Sequence, residues 1–133
     1  MKLLIDTHVF IWVLTDVRRL PHRVKNILSE PANEIYVSAV SFWEIAIKVA
    51  NKRLSLIGHK PSTLVQAAED LDFLPIAILP VDAATVGSLT EDAHFDPFDR
   101  MLIWQAIKRN MILVSGDRAF ESFEKDGLRL LWK

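Results

Sequence analysis

The chain has 133 residues, half of them hydrophobic and a quarter charged, with four glycines and a formal net charge of −1. That length suits a single domain, residues 1–133, able to bury about two-thirds of its unfolded surface, and the composition is that of an ordered protein without low-complexity segments. The absence of cysteine excludes a thiolate nucleophile, a cysteine zinc site and a disulfide framework and fits a reducing cytoplasm, while a pI of about 6.4 excludes a strongly basic nucleic-acid binder but not lysines and arginines lining an acidic site.

Residues 2–5 read as a short buried strand, and residues 7–14, nearly all apolar, as a helix buried on more than one face. Asp6 interrupts the apolar run of MKLLIDTHVF, which makes it a poor signal peptide. The longest apolar stretch, 9–14, falls far short of the roughly 20 residues of a membrane span. After a polar turn at 16–20, Pro21 suits the first turn of a helix running to about 29. Pro31, Ala32 and Asn33 break the chain before a second strand, 34–37. Ser38 or Ser41 can cap a long helix to about 52, and 54–60 is a loop. Pro61-Ser62-Thr63 opens an amphipathic helix through 71. Pro75 and Pro80 bracket a third strand, 76–79, and residues 82–89 form a helix followed by a polar stretch, 90–94. Asp96 is a natural N-cap and Pro97 a natural first residue for a helix to about 109. A fourth strand at 111–114, a turn at Gly116, a short helix at 118–124 and a fifth strand at 128–132 complete the chain. Strands and helices alternate throughout. That pattern predicts an α/β domain with a mostly parallel sheet and helices on both faces.

Four acids stand where strands give way to helices or near helix starts: Asp6, Glu44, Asp99 and Asp117. Each has an ordinary reading. Asp6 and Asp117 can cap the helices they precede, Glu44 can complete a capping box with Ser41, and Asp99 suits the positive end of a helix dipole. Taken together they read differently. In an open parallel sheet, ligands bind beyond the carboxyl ends of the strands, and these four residues belong to that edge. Two unit charges 5 Å apart repel by roughly 3 kcal/mol at an effective dielectric of 20. A pocket of four carboxylates therefore holds protons or a cation, and oxygen donors without His or Cys favour Mg²⁺ or Mn²⁺. Such an ion can hold a phosphate oxygen and lower the pKa of water for phosphodiester hydrolysis.

In this order and spacing, MKLLIDTHVFIWVL, SAVSFWEIAIK, HFDPFDRMLIWQAI and ILVSGDRAF resemble the motifs of PIN-domain ribonucleases, in particular the VapC-type toxins of toxin–antitoxin pairs. The resemblance covers essentially the whole chain, and no motif acid is replaced. It implies a PIN-like three-layer α/β/α sandwich with a five-stranded parallel sheet of order 3-2-1-4-5. It further implies Mg²⁺- or Mn²⁺-dependent endonucleolytic cleavage of RNA, with Asp6, Glu44, Asp99 and Asp117 as catalytic and metal-holding residues. A homodimer, and an antitoxin protein whose C-terminal segment lies across the toxin, are implied as partners. The family often has a hydroxyl residue at the positions of Thr7 and Ser115, where it can orient water or the site; an ordinary helix-start or turn role fits each equally well.

Several neighbours have two readings. Lys48, four residues after Glu44, can pair with it or reach a substrate phosphate. Arg100 and Arg118 adjoin site acids and can contact RNA, or remain solvated. Asp96 reads as an N-cap rather than a ligand. His8 and His94 lack a second His at ligand spacing, and Trp12, Trp43 and Trp104 read as core or interface. Among competing classes, a haloacid-dehalogenase-like phosphatase needs an Asp two residues after Asp6, where this chain has His8. A receiver domain needs its Asp after the third strand, where Pro80-Val81-Asp82 stands without a companion lysine. A non-catalytic PIN-like module that holds RNA or a partner is the remaining alternative.

Overall fold

The computed structural model describes residues 1–90, 94 and 96–133. Five short strands form one sheet: β1 (Lys2–Ile5), β2 (Glu34–Ser38), β3 (Leu74–Ile76), β4 (Ile112–Val114) and β5 (Arg129–Leu131). Their order is β3-β2-β1-β4-β5, and every pairing is parallel. Parallel neighbours need crossover connections, and helices supply them. These are α1 (Thr7–Thr15), α2 (His22–Ser29), α3 (Ala39–Ala50), α4 (Leu64–Asp70), α5 (Pro80–Thr85) and α6 (Pro97–Lys108), with 3₁₀ segments at Val17–Arg19, Pro61–Thr63, Val86–Ser88 and Arg118–Asp126.

Period-two alternation along the strands splits the core in two. Leu3, Ile5, Ile35, Val37 and Val114 face α1, α2 and α4, where they meet Phe10, Val24 and Leu64. Leu4 and Leu113 point to the other face, against Leu102, Ile103 and Phe120. With both faces covered, the central strands read as continuous apolar runs, as buried parallel strands do. No helix among the described residues is long and apolar enough to cross a membrane.

The predicted elements are present, with two differences in kind. The third strand was expected at 76–79, bracketed by prolines; it lies at Leu74–Ile76 and contains Pro75, paired with Val37. β3 is an edge strand, so a residue without an N–H can sit there with its missing donor turned away from the ladder. The segment after Asp117 was expected as a short α-helix; it is a 3₁₀ helix ending at Gly127, whose φ of 101° only glycine adopts readily. Of the predicted polar stretch 90–94, residues 91–93 lie outside the described residues. In α1, Val9, Phe10 and Ile11 are buried in the first core, and Trp12, Val13 and Leu14 pack partly buried against it.

Candidate active site

The carboxyl ends of β1 and β4 lie side by side, with Ile5 paired to Val114. The chain leaves each strand through an acid: Asp6 after Ile5, Asp117 two residues beyond Ser115. Asp6 caps α1, its Oδ1 accepting from the Val9 N–H at 2.8 Å, and Asp117 caps the last 3₁₀ helix, accepting from the Ala119 N–H at 2.9 Å. The expected capping roles are real. They fix each carboxylate at a helix start and leave the rest of the group free for other work. Ser115 stands between the two acids: its hydroxyl lowers the Asp6 pKa and accepts from the Asp117 N–H at 3.1 Å.

Glu44 behaves differently. The predicted capping box with Ser41 does not form, because Ser38 is the N-cap of α3 and accepts from the Val40 N–H. Glu44 therefore stands one turn inside the helix, only 2% exposed. Its Oε2 accepts from Lys48 Nζ at 2.6 Å, and its Oε1 is buried without a hydrogen-bond partner among the described residues. Lys48 thus pairs with the acid, the first of its two predicted roles. Ser41, freed from capping, is buried and bonds Thr7 at 3.0 Å, tying the start of α1 to α3. Thr7 spends its hydroxyl on that tie.

Asp99 lies in the first turn of α6. Asp96 caps this helix through the Asp99 N–H at 3.0 Å, as predicted. The Asp99 carboxylate meets His94 Nε2 at 2.9 Å. Sequence spacing gave no hint of that contact, because the two residues are not on one helix. Arg100 is turned to the backbone, donating to the carbonyls of His94 and Leu89 at 3.1 and 3.4 Å. Its guanidinium therefore tethers the approach to α6. Arg118 is exposed beside Ser115 and Asp117. Trp43, expected in a core or interface, is 55% exposed and packs edge-on against Phe98 at 4.9 Å between ring centres. Trp104 is buried, its Nε1 donating to Thr85.

The four acids form two pairs that feel each other's charge. Burial raises the Asp6 carboxyl above the ordinary carboxylate range, and the Asp117 charge adds to this; bonds from Ser115 and Val9, with nearby His8, act in the opposite sense. Asp99 is pushed up to about 6, first by burial and then by the charges of Asp96 and Glu44, while the His94 bond opposes the shift. Among the described residues, no three His, Asp or Glu side chains stand close enough to enclose a metal ion. Among the described residues the acids do not draw into one closed cluster; Asp6 feels the charge of Asp117, and Asp99 that of Glu44. Their chemistry nonetheless fits a hard divalent cation. All donors are carboxylate oxygens, one of them buried and unpartnered, and the burial that disfavours their charge is offset by a cation.

The PIN domain family model matches residues 3–126. The chain belongs to the PIN domain family. Ribonuclease VapC22 of Mycobacterium tuberculosis (strain ATCC 25618 / H37Rv) is 33% identical to this PIN domain over 119 residues, covering 90% of this chain and 89% of the relative. Among solved structures, VapBC2 from Rickettsia felis bound to a DNA fragment from their promoter superposes with a TM-score of 0.68 at 17% identity, with complete coverage of both chains. VapBC-1 from nontypeable Haemophilus influenzae gives 0.67 at 15%, covering 98% of this chain and 97% of that one. At those identities the structural likeness speaks for the fold, which it matches from end to end.

Proposed function

We propose that this PIN domain is a metal-dependent endoribonuclease and the toxin of a toxin–antitoxin pair. Family membership and the relationship to a ribonuclease at 33% identity support the activity. The observation that carries the site is Glu44: a fully buried carboxylate with one unpartnered oxygen, close enough to Asp99 to raise its pKa, at the edge where Asp6 and Asp117 also stand. Buried carboxylate oxygens without a partner are few in folded proteins, and this one lies at the acid site.

In this reading Asp6, Glu44, Asp99 and Asp117 hold Mg²⁺ or Mn²⁺. A bound divalent ion supplies Lewis acidity, which makes water more acidic and offsets charge on the scissile phosphate. The chain's own groups prepare the site. Ser115 fixes Asp6 relative to Asp117, and the Thr7–Ser41 tie fixes α1 relative to α3, which carries Glu44. Lys48 balances part of the Glu44 charge, and His94 orients the Asp99 carboxylate. Arg118, exposed beside Asp117, is placed to meet an RNA phosphate.

The partners follow the same reading: an antitoxin protein, and a second copy of this chain. The structural neighbours are VapBC complexes, which supports the antitoxin partner. A homodimer would use the exposed apolar pair Trp43 and Ile47, one turn apart on α3. The test of the activity is direct. Purified protein free of antitoxin, incubated with structured RNAs, should cleave with Mg²⁺ or Mn²⁺ and not with EDTA. Asp6→Asn should abolish cleavage and growth arrest while leaving the circular-dichroism spectrum unchanged. A folded Asp6→Asn protein that still arrests growth would sink the mechanism. Wild-type protein that binds RNA without cutting it under any metal would favour the non-catalytic module.

A further inference from the structure

A groove of about 570 Å³ opens beside the acid site, between α1 and the loop that follows α3. Two residues place its inner end. Thr7 directly follows Asp6, and Lys48 is bonded to Glu44. From there it runs past Trp12 toward Arg19 and Arg53. Its cations outweigh its acids: Asp16, the acid on its wall, is already paired with Arg18 at 2.9 Å. Arg53 is exposed and has no ion-pair partner among the described residues. Arg19 sits over the Trp12 ring, its guanidinium carbon 4.6 Å from the ring centre. Ile57, 75% exposed, stands on the rim.

We propose that this groove is the path of a single RNA strand leading to the acid pairs. The inference rests on the nuclease reading and adds where the substrate lies. Single strands are held where cations track the phosphates and flat groups accept the bases, and a guanidinium plane backed by an indole is such a platform. Arg53 and Arg19 meet phosphates or bases along the groove, and Lys48 marks the point where the strand reaches the carboxylates. A peptide would also enter a groove of this size. The excess of cation over free acid and the Arg19–Trp12 pair favour a polyanion with planar bases.

Binding of a fluorescein-labelled, unstructured RNA is read by fluorescence anisotropy over a salt series, with full-length protein in EDTA so that no strand is cut. Arg53→Glu and Arg19→Glu alter exposed side chains, and thermal melts check that both fold. Each should weaken binding at least five-fold, and Arg53→Ala should reduce the salt slope by about 0.7, the value for one phosphate contact on a single strand. Lys25→Glu, at the opposite edge of the sheet, should change affinity less than two-fold. Folded groove variants that bind RNA like wild type would overturn the proposal, even if metal-dependent cleavage is intact. Groove variants that keep RNA binding but lose the antitoxin would assign the groove to a peptide. If the groove variants lose RNA while wild type never cleaves with any metal, the groove stands and the nuclease reading fails.

Discussion

A carboxylate at a helix start satisfies backbone N–H groups whether or not it also holds a metal. Asp6, Asp96 and Asp117 all cap in this fold, so capping alone does not tell a site acid from a structural one. Environment does. Asp6 is buried and its pKa is raised, whereas Asp117 is exposed at the rim. Asp99 titrates from an ordinary 3.8 in the unfolded chain and at about 6 in the fold. The folded state therefore holds this proton more tightly. The Asp99 contribution is most favourable below pH 3.8 and is lost as the pH rises through about 6. At pH 7.5 in EDTA, Asp99→Asn should thus melt higher than wild type, by about 1–2 kcal/mol once solvent screening of this partly exposed group reduces the full shift. At pH 4 the difference should shrink, and Mg²⁺ should stabilise wild type but not the variant. An Asp99→Asn protein less stable than wild type at pH 7.5 would show that the carboxylate is not strained by its surroundings.

The elements are held in place at the functional edge by a buried polar network. Gln105, fully buried on α6, accepts from Ser38 at 2.5 Å and donates to the Ala77 carbonyl and to Asp82. Asp82 in turn accepts from the Leu79 N–H and from both Arg109 terminal nitrogens, at 3.1 and 2.9 Å. The N-cap of α3, the exit of β3, the start of α5 and the end of α6 are thereby tied together. Asp82 is 4% exposed, and the Arg109 bonds hold its carboxyl below the usual range. Its stabilisation is present above the unfolded pKa and is lost as pH falls through the lower folded value. Asp82→Ala should cost about 2–3 kcal/mol in urea unfolding at pH 7, since it leaves Arg109 without its acceptor and takes one of two acceptors from Gln105. The penalty should fade in strong acid. A cost of under 0.5 kcal/mol at pH 7 would mean that the network does not tie these elements together. The contacts of Gln105 with Ser38, Ala77 and Asp82, and of Asp82 with Arg109, were not legible beforehand, because each joins residues more than 20 apart in sequence at no motif spacing.

For the molecule as a whole, large exposed hydrophobics are scattered over several elements, Val17, Val65 and Val81 as well as α3. α1 buries Val9, Phe10 and Ile11 in the core, while Trp43 and Ile47 on α3 stay exposed at 55% and 39%. Large exposed aromatics anchor interfaces. Trp43→Glu should convert a dimer to a monomer by sedimentation velocity at micromolar concentration, with the far-UV circular-dichroism spectrum unchanged. A wild-type monomer under those conditions would remove α3 as the interface. The groove beside the acid site belongs to this scale too. Trp12 was expected in a core or interface; it packs partly buried against the first core, and the Val17–Arg19 turn folds Arg19 back over its ring. The sequence by itself determined the alternation of strands and helices, the parallel sheet, the four acids and the family, because periodicity, caps and motif spacing are local or ordered along the chain. Only the tertiary structure decided that β3 begins before Pro75, that Ser41 serves Thr7 rather than Glu44, that His94 meets Asp99, and that Asp6 feels the charge of Asp117 and Asp99 that of Glu44. Each of those depends on which distant segments share one edge of the sheet, and distance along the chain carries no record of that.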